Sequence, residues 1–139
     1  TKFANNKNLT NLNDFQYFTG VRYLNNAFMS CPELIEAKFW EGLERCDDNL
    51  IRNSSKIKLV DFPSTIKDLG QMWLSHDMRK NNGIVICRAK NPPKIFRYNV
   101  FVDAIALYVP DESVALYKAN ENMTKFISKN ILPLSKYQP

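Results

Sequence analysis

Glycine is scarce and scattered. Only four occur, Gly20, Gly42, Gly70 and Gly83, and none sit together in the kind of loop whose backbone N–H groups cradle a phosphate. There is one histidine, His76, beside Asp77. It could pose as a base, but the spacing places no serine or cysteine nucleophile with it, so it reads as a helix-side residue. The motifs G-x-S-x-G, H-E-x-x-H and C-x-x-C are all missing, which removes the common hydrolase, zincin and zinc-ribbon signatures. The three cysteines, Cys31, Cys46 and Cys87, are odd in number and widely spaced. That argues against a disulfide framework or a cysteine-based metal site and favours a reducing compartment. No apolar run approaches the roughly 20 residues a membrane-spanning helix needs, and no signal peptide is visible. The expectation is a soluble intracellular domain that is not an enzyme, with no catalytic, cofactor-binding or metal residues and no membrane contact.

What is present is a chain of 139 residues with a net charge of +5. That length suits one domain, or two intimate lobes, and buries roughly two-thirds of the unfolded surface. Residues 1–13 are polar and asparagine-rich and read as an arm or linker; 14–133 form a single compact domain; 134–139 form a tail. Beginning at Thr1, the chain reads as a monomeric domain of a larger protein. Sequons at Asn8, Asn53 and Asn122 would accept glycans in a secreted protein, but 16 asparagines make chance matches expected.

The stretch from Ile84 to Lys118 organises the rest. Ile84 to Cys87 is a β-branched apolar run between turn residues, a buried strand. Asn91-Pro92-Pro93-Lys94 is a turn, because proline fixes φ and removes a donor. Ile95 to Val109 carries no proline or glycine, which predicts a long strand bent near Asp103. Pro110 to Ser113 turns, and Val114 to Lys118 returns as a further strand. Lys56 to Phe62 alternates like a strand of the same sheet. Three helices are predicted. Ser30 to Cys46 has a capping-box start and an apolar stripe of Ile35, Phe39 and Leu43. Another follows Ser64 or Thr65 and stops at Asn81-Asn82-Gly83. The last covers Asn120 to Ile131. No internal repeat is visible. The fold expected is α+β, with helices packed on a small, mostly antiparallel sheet or partly open barrel.

Charge is distributed unevenly. Glu33 to Asp48 holds six acids against two bases, whereas Met78 to Val102 holds six bases and no acid. Such polarity suits docking to a charged partner. The candidate partner-binding residues are Arg79, Lys80, Arg88, Lys90, Lys94 and Arg97 from the basic stretch. Arg22 and Tyr23 join them from an aromatic N-terminal segment, since Tyr and Arg dominate interface hot spots.

The pattern from Ser64 onward, ending in ALYVPDESVALYK (Ala106 to Lys118), resembles the origin-recognition-complex-interacting region of the budding-yeast silent information regulator adaptor family. The resemblance implies a protein-protein interaction module of a nuclear, chromatin-associated silencing protein. Its implied partner is the bromo-adjacent homology domain of the largest origin recognition complex subunit. It supplies no interface residues. The alternative is a small-barrel nucleic-acid-binding domain using the basic 78–102 stretch, with Phe96, Tyr98 and Phe101 as stacking groups.

Overall fold

The computed structural model describes residues 3–70, 78–96, 102 and 104–139. Nine short strands occur among them: β1 (Tyr23–Leu24), β2 (Glu36–Lys38), β3 (Arg45–Cys46), β4 (Leu59–Phe62), β5 (Asp68–Leu69), β6 (Ile84–Cys87), β7 (Lys94–Ile95), β8 (Ala106–Val109) and β9 (Ile131–Pro133). They form a short sheet, β1-β3-β5-β7, and a long sheet, β2-β4-β6-β8-β9. Every neighbouring pair in both sheets is parallel.

The strands alternate between sheets from β1 to β8, so the chain winds as a solenoid that adds one strand to each ladder per coil. Register sets the coil length. Tyr23, Arg45, Asp68 and Lys94 align across the short sheet, in steps of 22, 23 and 26 residues. Glu36, Leu59, Ile84 and Ala106 align across the long one, in steps of 23, 25 and 22.

This overturns the α+β expectation of helices on a mostly antiparallel sheet or open barrel. Strands β6 and β8 are indeed neighbours, but in parallel, so the chain between them must travel back outside the sheet rather than turn in a hairpin. It does so through β7 in the other ladder. The helix expected over Ser30 to Cys46 is replaced by turns and by β2 and β3. Phe39 and Leu43 are buried but Ile35 is 40% exposed, so their four-residue recurrence does not mark one face. Asp68–Leu69, expected in a helix, is β5. Val114 to Lys118, expected as a strand, is instead the five-residue helix α1 (Val114–Lys118). In the region expected to form the last helix, a wide helical turn over Met123–Ile127 is followed by β9. The expected strands at Ile84 to Cys87 and within Lys56 to Phe62 are present. His76, Asp77, Arg97, Tyr98, Phe101 and the bend at Asp103 lie outside the described residues.

Two rows of side chains face each other between the ladders. Ala37, Val60, Val85, Leu107 and Ile131 point in from the long sheet; Leu24, Cys46, Leu69 and Ile95 point in from the short one. Burying a Leu, Ile or Val of this kind contributes about 1.5–3 kcal/mol. Aromatic rings fill the first two coils: Phe39 stacks on Phe62 at 5.5 Å, and Phe28 packs edge-on to Phe15 at 5.3 Å.

The corners need left-handed backbone, and asparagine supplies it. Asn26 and Asn49 have φ of 50° and 57°, and Ser30 and Asn53 have φ of 57° and 62°. Each pair is 23 residues apart, one coil. Asparagine is among the few residues with a side chain that tolerate this region at low cost.

Residues 3–13 run along the first coil. Leu12 is fully buried, Phe3 and Leu9 pack against the core, and Thr10 O accepts from the N–H of Ile35 at 2.9 Å. At the other end Tyr137 meets the Tyr108 ring at 5.3 Å, and the Ser135 N–H donates to Asp111 Oδ1 at 3.0 Å.

Candidate functional site

Parallel ladders align equivalent turns. The parallel strands of the long sheet end at one corner, and after β2, β4 and β6 the chain turns there into the short sheet. Residues 39–44, 63–67 and 88–93 are three such turns, stacked coil on coil. Side chains tie them together. Ser64 donates through its N–H and Oγ to the two Glu41 carboxylate oxygens at 2.9 and 2.8 Å. Gly42 N–H donates to Thr65 Oγ1 at 2.9 Å, and that hydroxyl donates to Leu43 O at 2.8 Å.

Between the second and third turns lies an open groove of about 560 Å³, bounded by Ser64 to Lys67, Arg88 to Lys94, and Pro110. Among the described residues four cations line it, Lys67, Arg88, Lys90 and Lys94, and no carboxylate does. Their charges are not equally free. Arg88 forks onto Asp61, its Nε and Nη2 each 2.9 Å from a carboxylate oxygen. Asp61 is 7% exposed, and this hydrogen-bonded pair raises the Arg88 pKa further. Lys67 lies 3.2 Å from Glu44, which also holds Arg22 at 3.4 Å. Lys90 reaches Glu112 only at 3.7 Å, with both side chains largely in solvent. Lys94 is exposed.

Glu44 therefore links the groove to Arg22, two coils away. Tyr23 shares a register row with Arg45, Asp68 and Lys94. Because the next row is buried, this row faces out. Three strand spacings separate Tyr23 from Lys94, about 14 Å. On the same face the Arg45 guanidinium lies 4.2 Å from the centroid of the Phe96 ring and donates to Asp47 at 2.6 Å. Tyr17, Phe18, Val21 and Tyr23 leave large apolar surface exposed near the first coil, Tyr17 most of all at 88%.

The structure thus brings Arg88, Lys90 and Lys94 together, and connects Arg22 and Tyr23 to them along one corner. It does not bring Arg79 and Lys80 there. Those two precede β6, whereas Arg88 follows it, so the strand length of about 13 Å lies between. Arg79 lines a separate groove of about 510 Å³ with Lys125 and Lys129. Arg97 lies outside the described residues. Sequence reading missed Lys67, Lys125 and Lys129. Each is remote in sequence from the basic stretch and joins it only through coil stacking, so charge density along the chain carried no signal for them.

Buried thiols offer no nucleophile here. Cys31, Cys46 and Cys87 are free and buried. Burial pushes Cys46 well above its ordinary value and Cys87 up to about 11. The Cys87 sulfur lies 3.2 Å from the hydroxyl of fully buried Tyr117, whose single proton serves the nearer acceptor, Ala89 O, at 2.8 Å. Among the described residues, no three His, Cys, Asp or Glu side chains converge on a metal position, and no helix is long and apolar enough to cross a membrane. The chain matches no protein-family model, and no curated protein matches it.

Proposed function

We propose that this chain is a non-catalytic protein-interaction module that docks an acidic partner at its basic corner. One observation carries this reading. Coil stacking gathers Lys67, Arg88, Lys90 and Lys94, from two different turns, around one open groove that has no acid in its lining among the described residues. Repeat solenoids present such stacked turns as extended binding surfaces, and complementary charge steers encounter and fixes register. Tyr23 and Arg22 extend the surface along the same corner.

A nuclear, chromatin-silencing partner follows from the sequence resemblance, and the bromo-adjacent homology domain of the largest origin recognition complex subunit is the first bait to try. The residues that carry that resemblance, Ala106 to Lys118, have packing work in this fold. They form β8 and α1, with Leu107, Val109 and Tyr117 in the core.

The test is capture from nuclear extract, with and without nuclease, and by that purified bait. Wild type is compared with Lys90→Glu/Lys94→Glu and with Arg22→Glu/Tyr23→Ala. Nuclease-resistant capture that drops in Lys90→Glu/Lys94→Glu supports the module. Equal capture by all variants refutes the corner. Capture abolished by nuclease transfers the chain to the nucleic-acid reading, which also requires steep loss of affinity with salt.

A further inference from the structure

The groove has a composition of its own, distinct from its charge. Its floor is apolar and poor in donors. Ile66 and Ala89 are 3% and 4% exposed, and Pro92, Pro93 and Pro110 complete the apolar lining. Of the polar lining residues Ser64, Thr65 and Asn91, the two hydroxyls already donate to Glu41 and to Leu43 O. Three prolines remove three backbone N–H groups from the surface a ligand would meet. The cations stand at the rim. Arg88 is forked onto Asp61, whereas the Lys67 and Lys90 side chains stay 66% and 81% exposed beside Glu44 and Glu112 and Lys94 is exposed. These three are therefore the charges a ligand would meet, in exchange for those surface contacts.

Resting on the interaction reading above, we infer that the groove takes an extended acidic peptide in which one apolar side chain enters the proline-lined floor and flanking carboxylates pair with Lys67, Lys90 and Lys94. Three features favour this occupant over a nucleic acid or a free polyphosphate. Among the described residues no aromatic side chain lines the groove, so a base finds none of them to stack on. The three prolines remove backbone N–H groups that could nest a phosphate, and the Arg88 guanidinium in the lining is already forked onto Asp61. The apolar floor rewards a Leu- or Ile-sized group that neither polyanion carries.

The experiment uses the folded chain and fluorescein-labelled decapeptides in an anisotropy titration. One peptide is glutamate-rich with a single central Leu; a second has Ala at that place; a third has lysines for glutamates. A 12-nucleotide oligo-dT is the polyanion control. Expected are saturable binding of the Leu peptide, loss of about tenfold or more in the Ala peptide, no binding of the lysine peptide, and weakening by salt. Lys90→Glu and Lys94→Glu, tested singly and checked for an unchanged melting profile, should each weaken the Leu peptide severalfold. Equal affinity for the Leu and Ala peptides, or tighter binding of oligo-dT, overturns the inference. No binding of the Leu peptide, while Lys90→Glu/Lys94→Glu still abolishes partner capture, overturns the peptide assignment and leaves the module standing. Capture insensitive to both charges removes the module as well.

Discussion

Removing the Asp61–Arg88 pair tests the packing of the long sheet and the wiring of the corner at once. Both contacts of the fork measure 2.9 Å, and the two side chains are 10% and 44% exposed. An exposed ion pair would contribute about 0.2–1 kcal/mol. Here the carboxylate is nearly out of water, while the guanidinium keeps partial solvation, which screens the attraction. Arg88→Ala leaves a buried carboxylate without its two donors and should cost about 2–3 kcal/mol. Asp61→Ala releases Arg88 to solvent and should cost less, about 1–2 kcal/mol. The coupling energy from the double-mutant cycle should then be about 1.5–2 kcal/mol. Arg88→Lys keeps the charge but not the fork, and should recover less than half of the loss. Urea denaturation of the four proteins of the cycle and of Arg88→Lys, followed by circular dichroism at constant m-value, measures this directly. A coupling below about 0.5 kcal/mol, or an Arg88→Ala no worse than Asp61→Ala, would refute the claim that burial of the carboxylate makes this pair strong.

Gly70→Ala should destabilise the chain by about 1–3 kcal/mol, since a Cβ there would lie 2.9 Å from the Asp47 carbonyl carbon, and backbone cannot step aside; a chemical-denaturation midpoint equal to wild type would contradict this. At the Asn26 corner, with φ of 50°, Asn26→Ala should cost about 1–2 kcal/mol and Asn26→Gly only a few tenths; the two are ranked by melting temperature. With Cys87 held up to about 11 from an ordinary 9.0, the folded state favours the neutral thiol. Its contribution is therefore complete below pH 9 and is lost as pH rises through about 11, which a series of urea melts in wild type and Cys87→Ala would separate. Asp111 is depressed by its hydrogen bonds from Ser135, so the tail contact should be present above the usual carboxylate range and lost at lower pH, visible as a shift of the Ser135 amide resonance.

The strands were legible where a short β-branched apolar run lay between turn residues, as at Ile84 to Cys87, because those flanks leave too little length for a buried helix. Their direction was not legible, since a buried strand looks the same whether its neighbour runs parallel or antiparallel. Ser30 to Cys46 misled for a different reason: tight coils put apolar residues two, three and four positions apart, and some of those intervals mimic a helix. The signal that would have found the fold is an offset. Leu34, Ala37, Phe39, Leu43 and Cys46 are each followed 23 positions later by Ile57, Val60, Phe62, Ile66 and Leu69. Comparing the chain with itself at that shift reveals the repeat. Of the candidate site, the turn after β6 was readable from its basic residues. Lys67 was not, because a stacked turn brings together residues that no window along the chain contains.

Coil lengths in the short sheet grow from 22 and 23 residues to 26, yet Lys94 still pairs in step with Asp68. The register therefore holds across a longer coil. Stacked coils of this kind separate the part of the chain that must keep count from the part that need not. A segment inserted at an outer bend would lengthen one coil and leave the inward row above and below it unchanged. The basic corner could in that way be enlarged, or a new binding loop grafted beside it, without redesigning a single core position.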